Sequence, residues 1–153
     1  MRGRVAWKGD FQTSRVERIG DSPVVVIVDS TVWVDYFKGH HNPETDWIDA
    51  RLDQERLGLT SIIMTEVLQG IAHERRAREV EAALLEVFEA ASADLAVAAA
   101  RNYRTLRGRG KTPRKTIDGL IAGFCLREGH SLLHRDRDFD PFEHLLGLSV
   151  VHP

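Results

Sequence analysis

With 153 residues the chain is one domain's worth of protein, long enough to bury a core without disulfide or metal staples and too short for two enzymatic domains. Its 42% hydrophobic and 29% charged residues are those of a soluble globular protein and exclude the disordered, collagenous and membrane classes. Twenty-one Lys and Arg against 23 Asp and Glu leave a formal charge of −2, which lacks the basic excess of many nucleic-acid-binding proteins but says nothing of where the charges sit.

The first 23 residues carry scattered charges and no apolar h-region, so they read as an N-terminal extension, disordered or docked on the body, and not as a signal peptide. The domain is expected over 24–153. Val24 to Val28 is an unbroken β-branched run, the pattern of a strand buried on both faces in a parallel sheet, and too short to span a bilayer. Asp29 ends it, and Ser30-Thr31 opens a helix with Val32, Trp33, Tyr36 and Phe37 on one face and Gly39 at its end. Asn42-Pro43 is an N-cap with Pro at the first helical position, leading a helix that buries Trp47, Ile48 and Leu52.

Leu57 to Thr60 is the second predicted strand, and Ser61 to Ile71 a helix whose Met64, Val67, Leu68 and Ile71 recur at helical spacing. The same period, through Val80, Ala83, Leu84, Val87 and Phe88, predicts a helix over about Arg75 to Ala90, with no strand between Phe88 and Leu95. The Ala-rich Leu95 to Leu106 segment is a further helix. Thr116 is placed to cap the next one, in which Ile117, Leu120, Ile121, Phe124 and Cys125 mark one face and Gly129 the end. Cys125, the only cysteine, therefore reads as core filler, rules out an internal disulfide and a cysteine zinc site, and fits a reducing cytoplasm. Ser131 to His134 and Leu148 to Val151 are short strands around an acidic turn and a short helix near Phe142 to Leu146. Strands alternating with helices give an α/β fold with a mostly parallel sheet covered on both sides, whose site lies at the carboxyl ends of the strands.

Five acids stand at such places. Asp29 follows the first strand, Glu66 lies in the second turn of the helix after the second, Asp118 in the first turn of its helix, and Asp136 and Asp138 after the strand ending at His134. Singly, each has a plain role: Asp29 a helix cap, Asp118 a complement to the helix dipole, Glu66 a solvated side chain opposite the apolar stripe, Asp136 and Asp138 a polar turn. Converging on one rim, they would repel and raise one another's pKa unless a divalent cation or a basic partner neutralised them. All-oxygen ligation of that kind suits Mg²⁺ or Mn²⁺, and a carboxylate-held Mg²⁺ pair serves phosphodiester hydrolysis.

From Arg101 to Lys115 there are seven cations, Arg101, Arg104, Arg107, Arg109, Lys111, Arg114 and Lys115, and no acid. The break at Gly108-Arg-Gly110 releases the last of them into a loop just before Asp118, where Arg107, Arg109, Lys111, Arg114 and Lys115 are candidate contacts for the phosphates of a polyanion. On charge alone a solvated helix end is an equal reading. Three other motifs fail. Gly110-Lys111-Thr112 lacks the upstream glycine and strand of a P-loop, His134-Arg135-Asp136 lacks the asparagine of a kinase loop, and no nucleophile elbow supports a Ser-His-Asp hydrolase. His40, His41 and His134 are of a type that binds metal, but read rather as exposed loop histidines.

Taken in order, Val28-Asp29-Ser-Thr-Val-Trp33, Thr60-Ser-Ile-Ile-Met-Thr-Glu66, Thr116-Ile-Asp118 and His134-Arg-Asp136-Arg-Asp138-Phe139 resemble a PIN-domain ribonuclease of the VapC toxin type, over nearly the whole chain beyond the extension. The resemblance implies a PIN-like three-layer α/β/α fold and a Mg²⁺-dependent endoribonuclease, Mn²⁺ substituting, that cuts structured RNA such as tRNA or rRNA to 3′-hydroxyl and 5′-phosphate ends. It implies Asp29 and Asp118 as principal metal ligands, Glu66 and Asp136 as the acids that complete the pocket, Asp138 as an alternative or additional ligand, and a hydroxyl from Ser30 or Thr31. It also implies a VapB-type antitoxin partner, a homodimer and a hetero-oligomer with the antitoxin. Competing readings are a DNA nuclease or phosphatase on a related scaffold, and a non-catalytic RNA-binding or partner-docking module.

Overall fold

The computed structural model of the chain describes residues 24–83 and 86–153; the extension and Leu84 lie outside them. Four short strands, β1 (Val26–Val28), β2 (Leu57–Thr60), β3 (Glu86–Phe88) and β4 (Ser131–Leu133), form one sheet in the order β3-β2-β1-β4. All three pairings are parallel, with Val28 opposite Leu133 and Thr60 opposite Phe88. Every residue of β1 and β2 is buried, because helices cover both faces, and the result is the three-layer α/β/α arrangement that β-branched and apolar strands require.

The helices are α1 (Ser30–Lys38), α2 (Pro43–Arg51), α3 (Ser61–Gln69), α4 (Glu74–Ala83), α5 (Ala93–Gly108), α6 (Thr116–Glu128) and α7 (Asp140–Leu146), with a 3₁₀ turn at Arg137–Phe139. Their ends follow local chemistry. Asn42 and Thr45 form a reciprocal capping box ahead of Pro43 at the start of α2. Gly39, Gly129 and Gly147 close α1, α6 and α7 in the left-handed conformation. Ile27, Leu59, Leu132, Trp33, Ile63, Ile121 and Phe142 meet in one core, which Cys125 also fills; burial pushes its thiol up to about 12.

Four expectations are corrected. The helix expected over Arg75 to Ala90 ends at Ala83, and β3 lies inside the run read as helical, just upstream of the interval where no strand was expected. A helical period is satisfied there, but Val87 and Phe88 pair with Leu59 and Thr60, and Glu86 meets Arg56 in a two-pronged ion pair at 2.6 and 2.7 Å, so the sheet edge overrides the period. Thr116 is the first residue of α6, which has no side-chain cap; Lys115 stands at the cap position. Ile117 is exposed. Leu148 to Val151 makes only an isolated parallel bridge, Leu132 to Val150, because after the turn at Gly147 the segment meets β4 through the backbone of Leu132 alone, at 2.8 and 3.0 Å.

Gly58 in β2 shows why the sheet edge fits. A Cβ there would lie 2.9 Å from a ring carbon of Phe88 and 3.1 Å from the Glu86 carbonyl and from Val25. Gly58→Ala is therefore expected to destabilise the fold by about 1–3 kcal/mol through overpacking, measured by denaturant unfolding; unchanged stability would mean that β3 shifts without cost.

Candidate active site

The carboxyl ends of β1 and β4 lie side by side, and the first acid is fixed between them. Asp29, 3% exposed, donates its backbone N–H to the Leu133 carbonyl at 2.9 Å. Its Oδ2 accepts from the Thr31 hydroxyl at 2.7 Å and the Thr31 N–H at 3.2 Å, so it does cap α1 as the plain reading has it. Burial nonetheless raises its pKa, against the pull of those hydrogen bonds.

Thr31 also ties Asp29 to the turn after β4, its hydroxyl accepting the Arg135 N–H at 3.2 Å. The Arg135 guanidinium reaches back to Asp35 of α1 at 2.6 Å and to Glu44 of α2 at 3.2 Å. Within the turn, the Asp138 N–H donates at 2.9 Å to Asp136 Oδ1, and the Asp136 side chain thereby caps the 3₁₀ turn. The Asp136 N–H donates to His134 Nδ1 at 3.1 Å. His134 corrects the expectation of an exposed loop histidine. It is half-buried, its ring lies 4.9 Å from that of Phe139, and desolvation lowers its pKa.

Asp118, in the first turn of α6 and 6% exposed, completes the rim. One carboxylate oxygen from each of Asp118, Asp136 and Asp138 lies within 4.8 Å of the others. Asp118 Oδ2 and Asp138 Oδ2 are buried and make no hydrogen bond among the described residues. Burial pushes the Asp118 carboxyl up to about 7; Asp29, Asp136 and Asp138 add to the rise and Lys115 opposes it. For Asp136 burial pulls upward, but the Asp138 N–H and Lys115 outweigh it and the pKa is lowered. Two buried, unsatisfied oxygens in a set of hard oxygen donors fit a divalent cation, for which Asp118, Asp136 and Asp138 are the closest-set ligands.

Asp29 and Glu66 stand beside this group and not within the 4.8 Å set. Glu66 is not turned away to solvent, as its place opposite the apolar stripe suggests. It is half-buried, accepts a hydrogen bond from Ser30, and has its pKa raised by burial and by the charges of Asp29 and Asp136.

The basic residues divide into two sets. Arg114 and Lys115 are held on the acids: Arg114 on Asp138 at 2.9 Å, and the Lys115 ammonium at 3.0 Å from Asp136, 3.9 Å from Asp138 and 4.0 Å from Asp118. Arg109 donates to the Leu145 carbonyl at 3.0 Å, Lys111 is exposed, and the Arg107 guanidinium lies 5.6 Å from the Tyr103 ring centroid. Between α5 and α6 a groove of about 510 Å³ is lined by Tyr103, Arg104, Arg107, Lys115 and Leu120, among others. The ion pairs of Lys115 and the place of Tyr103 in the groove escape sequence reading, since both depend on how α5, α6 and the β4 turn come together.

The parallel sheet thus carries its cluster of carboxylates on one rim. The PIN domain family profile matches residues 26–145, and the chain belongs to that family. Among its relatives, the VapC ribonuclease Mb1587 of Mycobacterium bovis is 30% identical over 132 residues, 83% of this chain and 98% of the relative. Ribonuclease VapC11 of Mycobacterium tuberculosis matches to the same extent, and the chain is thus a PIN-domain ribonuclease of the VapC type. In fold it is similar to the solved VapBC2 of Rickettsia felis bound to a promoter DNA fragment (TM-score 0.65, 15% identity, 84% of this chain and 98% of that one). It is equally similar to the DNA-bound VapBC of Salmonella typhimurium (TM-score 0.65, 21% identity, 84% and 97%). No helix among the described residues is long and apolar enough to cross a membrane.

Proposed function

We propose that the chain hydrolyses phosphodiester bonds of structured RNA, tRNA or rRNA, to 3′-hydroxyl and 5′-phosphate ends, with Mg²⁺ as cofactor and Mn²⁺ able to replace it. Asp29, Glu66, Asp118 and Asp136 are the catalytic acids, and Asp29, Asp118, Asp136 and Asp138 the metal-holding set. The observation that carries this reading is the trio of carboxylates within 4.8 Å, two of whose buried oxygens have no hydrogen-bond donor. When bound, the ion supplies charge neutralisation at the phosphoryl oxygens and a lowered pKa for water.

The chain's own groups do the rest. Thr31 and the Asp138 N–H fix the Asp29 and Asp136 carboxylates, so that little reorganisation is needed when substrate arrives. Glu66 has a raised pKa, which suits it to take a proton at its carboxylate as general base. Arg107, Arg109, Lys111, Arg114 and Lys115 contact RNA phosphates, so binding weakens steeply with salt. A VapB-type antitoxin is the regulatory partner, a reading supported by the VapBC complexes of like fold, and the toxin acts in the cytoplasm as a homodimer that joins a hetero-oligomer with the antitoxin.

The test is cleavage of tRNA, rRNA, duplex DNA and a phosphomonoester by the chelated protein, before and after addition of Mg²⁺ or Mn²⁺, with the new ends mapped. Cleavage of RNA alone, only with metal, and with 5′-phosphate ends is expected. Cleavage of DNA or the monoester would reassign the substrate, and RNA binding without cleavage would make the chain a binding module.

A further inference from the structure

Lys115 stands where the acid cluster and the groove meet. Buried carboxylates this close need an offsetting charge, and the Lys115 ammonium supplies one at 3.0 to 4.0 Å from Asp136, Asp138 and Asp118. The same side chain lines the groove that Arg104 and Arg107 also line. It is 56% exposed on a flexible, unbranched stem, so it can leave the acids without disturbing the core. A divalent ion taking these oxygens at about 2.0–2.6 Å would stand within a few ångströms of that ammonium, and like charges so close repel strongly.

We propose that Lys115 is a built-in counter-cation of the Asp118, Asp136 and Asp138 cluster that an incoming divalent ion displaces, and that the displaced ammonium then serves at the groove as a phosphate-binding group. The inference rests on the metal-site reading above and adds that the metal competes with a residue of the chain itself. Lys115 is in this sense a positioning residue for the acids before the metal binds and a substrate contact afterwards.

The experiment is calorimetric titration of the full chain with Mn²⁺ for the native protein, Lys115→Met, Lys115→Gln and Asp118→Asn, with circular dichroism to verify folding. In parallel, amine labelling of Lys115 in the native protein, read by peptide mass spectrometry, is compared with and without Mn²⁺. Removing the lysine is expected to tighten Mn²⁺ binding about threefold to tenfold, the worth of one partly exposed ion pair, and Mn²⁺ is expected to speed labelling of Lys115. Unchanged or weaker Mn²⁺ binding in the lysine variants overturns the inference while leaving the metal site standing. Tighter binding with no change in labelling also overturns it, since the lysine would then act through its field without moving. A native protein that binds no Mn²⁺ overturns the metal reading and the inference together.

Discussion

Asp118→Asn is expected to abolish metal-dependent RNA cleavage, lowering the rate by at least about 10²–10³-fold, and at the same time to raise the melting temperature of the metal-free protein near pH 8. The two effects have one origin. Asp118 is a nearly buried carboxylate facing two others, with one oxygen that makes no hydrogen bond among the described residues and meets Lys115 only at 4.0 Å. That arrangement is costly when the group is ionised and no metal is present, and the asparagine keeps its size while removing its charge. Cleavage assays and calorimetry on the same preparation check both effects. Full activity in the variant would put the metal elsewhere; lost activity with a lowered melting temperature would mean that Asp118 acts chiefly in the fold.

The second large effect is a pH dependence that metal reverses. The folded-state pKa of Asp118 lies near 7 against an ordinary 3.8, so the folded chain holds a proton there that the unfolded chain gives up. The stabilisation from that proton is whole below about pH 4 and lost as pH rises through about 7. For the metal-free protein this term is of order 1–2 kcal/mol after solvent screening and relaxation are allowed for. Asp136 and Asp35, with lowered pKa values, act oppositely: they stabilise above the ordinary carboxylate range and lose that contribution in acid. On the proposed metal site a divalent ion would take the place of that proton, so the rise in melting temperature caused by Mg²⁺ is expected to grow between pH 5.5 and pH 8. Calorimetric scans in chelator and in Mg²⁺ at the two pH values measure it, and an equal shift at both would refute a metal bound through Asp118.

Much of this was legible in the sequence because it depends on order along the chain. A β-branched run ending in Asp, and acids at later strand ends and first helical turns, suffice for a parallel sheet with a carboxylate rim. What escaped depends on distant residues. The period through Val80, Ala83, Val87 and Phe88 suits a helix, and only the presence of β2, with a glycine that admits Phe88, turns its end into β3. Glu66 lies opposite the apolar stripe of α3, yet Ser30 and Asp29 stand on that side of the helix. The basic strip was legible as charge but not as contact. Lys115 meets Asp136 across 21 positions of sequence, through a turn that only the pairing of β4 with β1 brings near.

The pairing of β1 with β4 carries a further consequence, for tolerance to insertion. Asp29 is bonded through its own peptide to Leu133, and Val28 lies opposite Leu133, so the spacing between the first acid and the Asp136-Asp138 turn is set by sheet register and not by loop length. Each residue of register is worth about 3.3 Å and reverses the face of every side chain on the strand. A single residue added between Val26 and Asp29, or between Ser131 and His134, would pull the carboxylates apart while leaving their identities untouched. Residues 70–73, which join α3 to α4, belong to neither of those strands, so a residue added there leaves that register as it is.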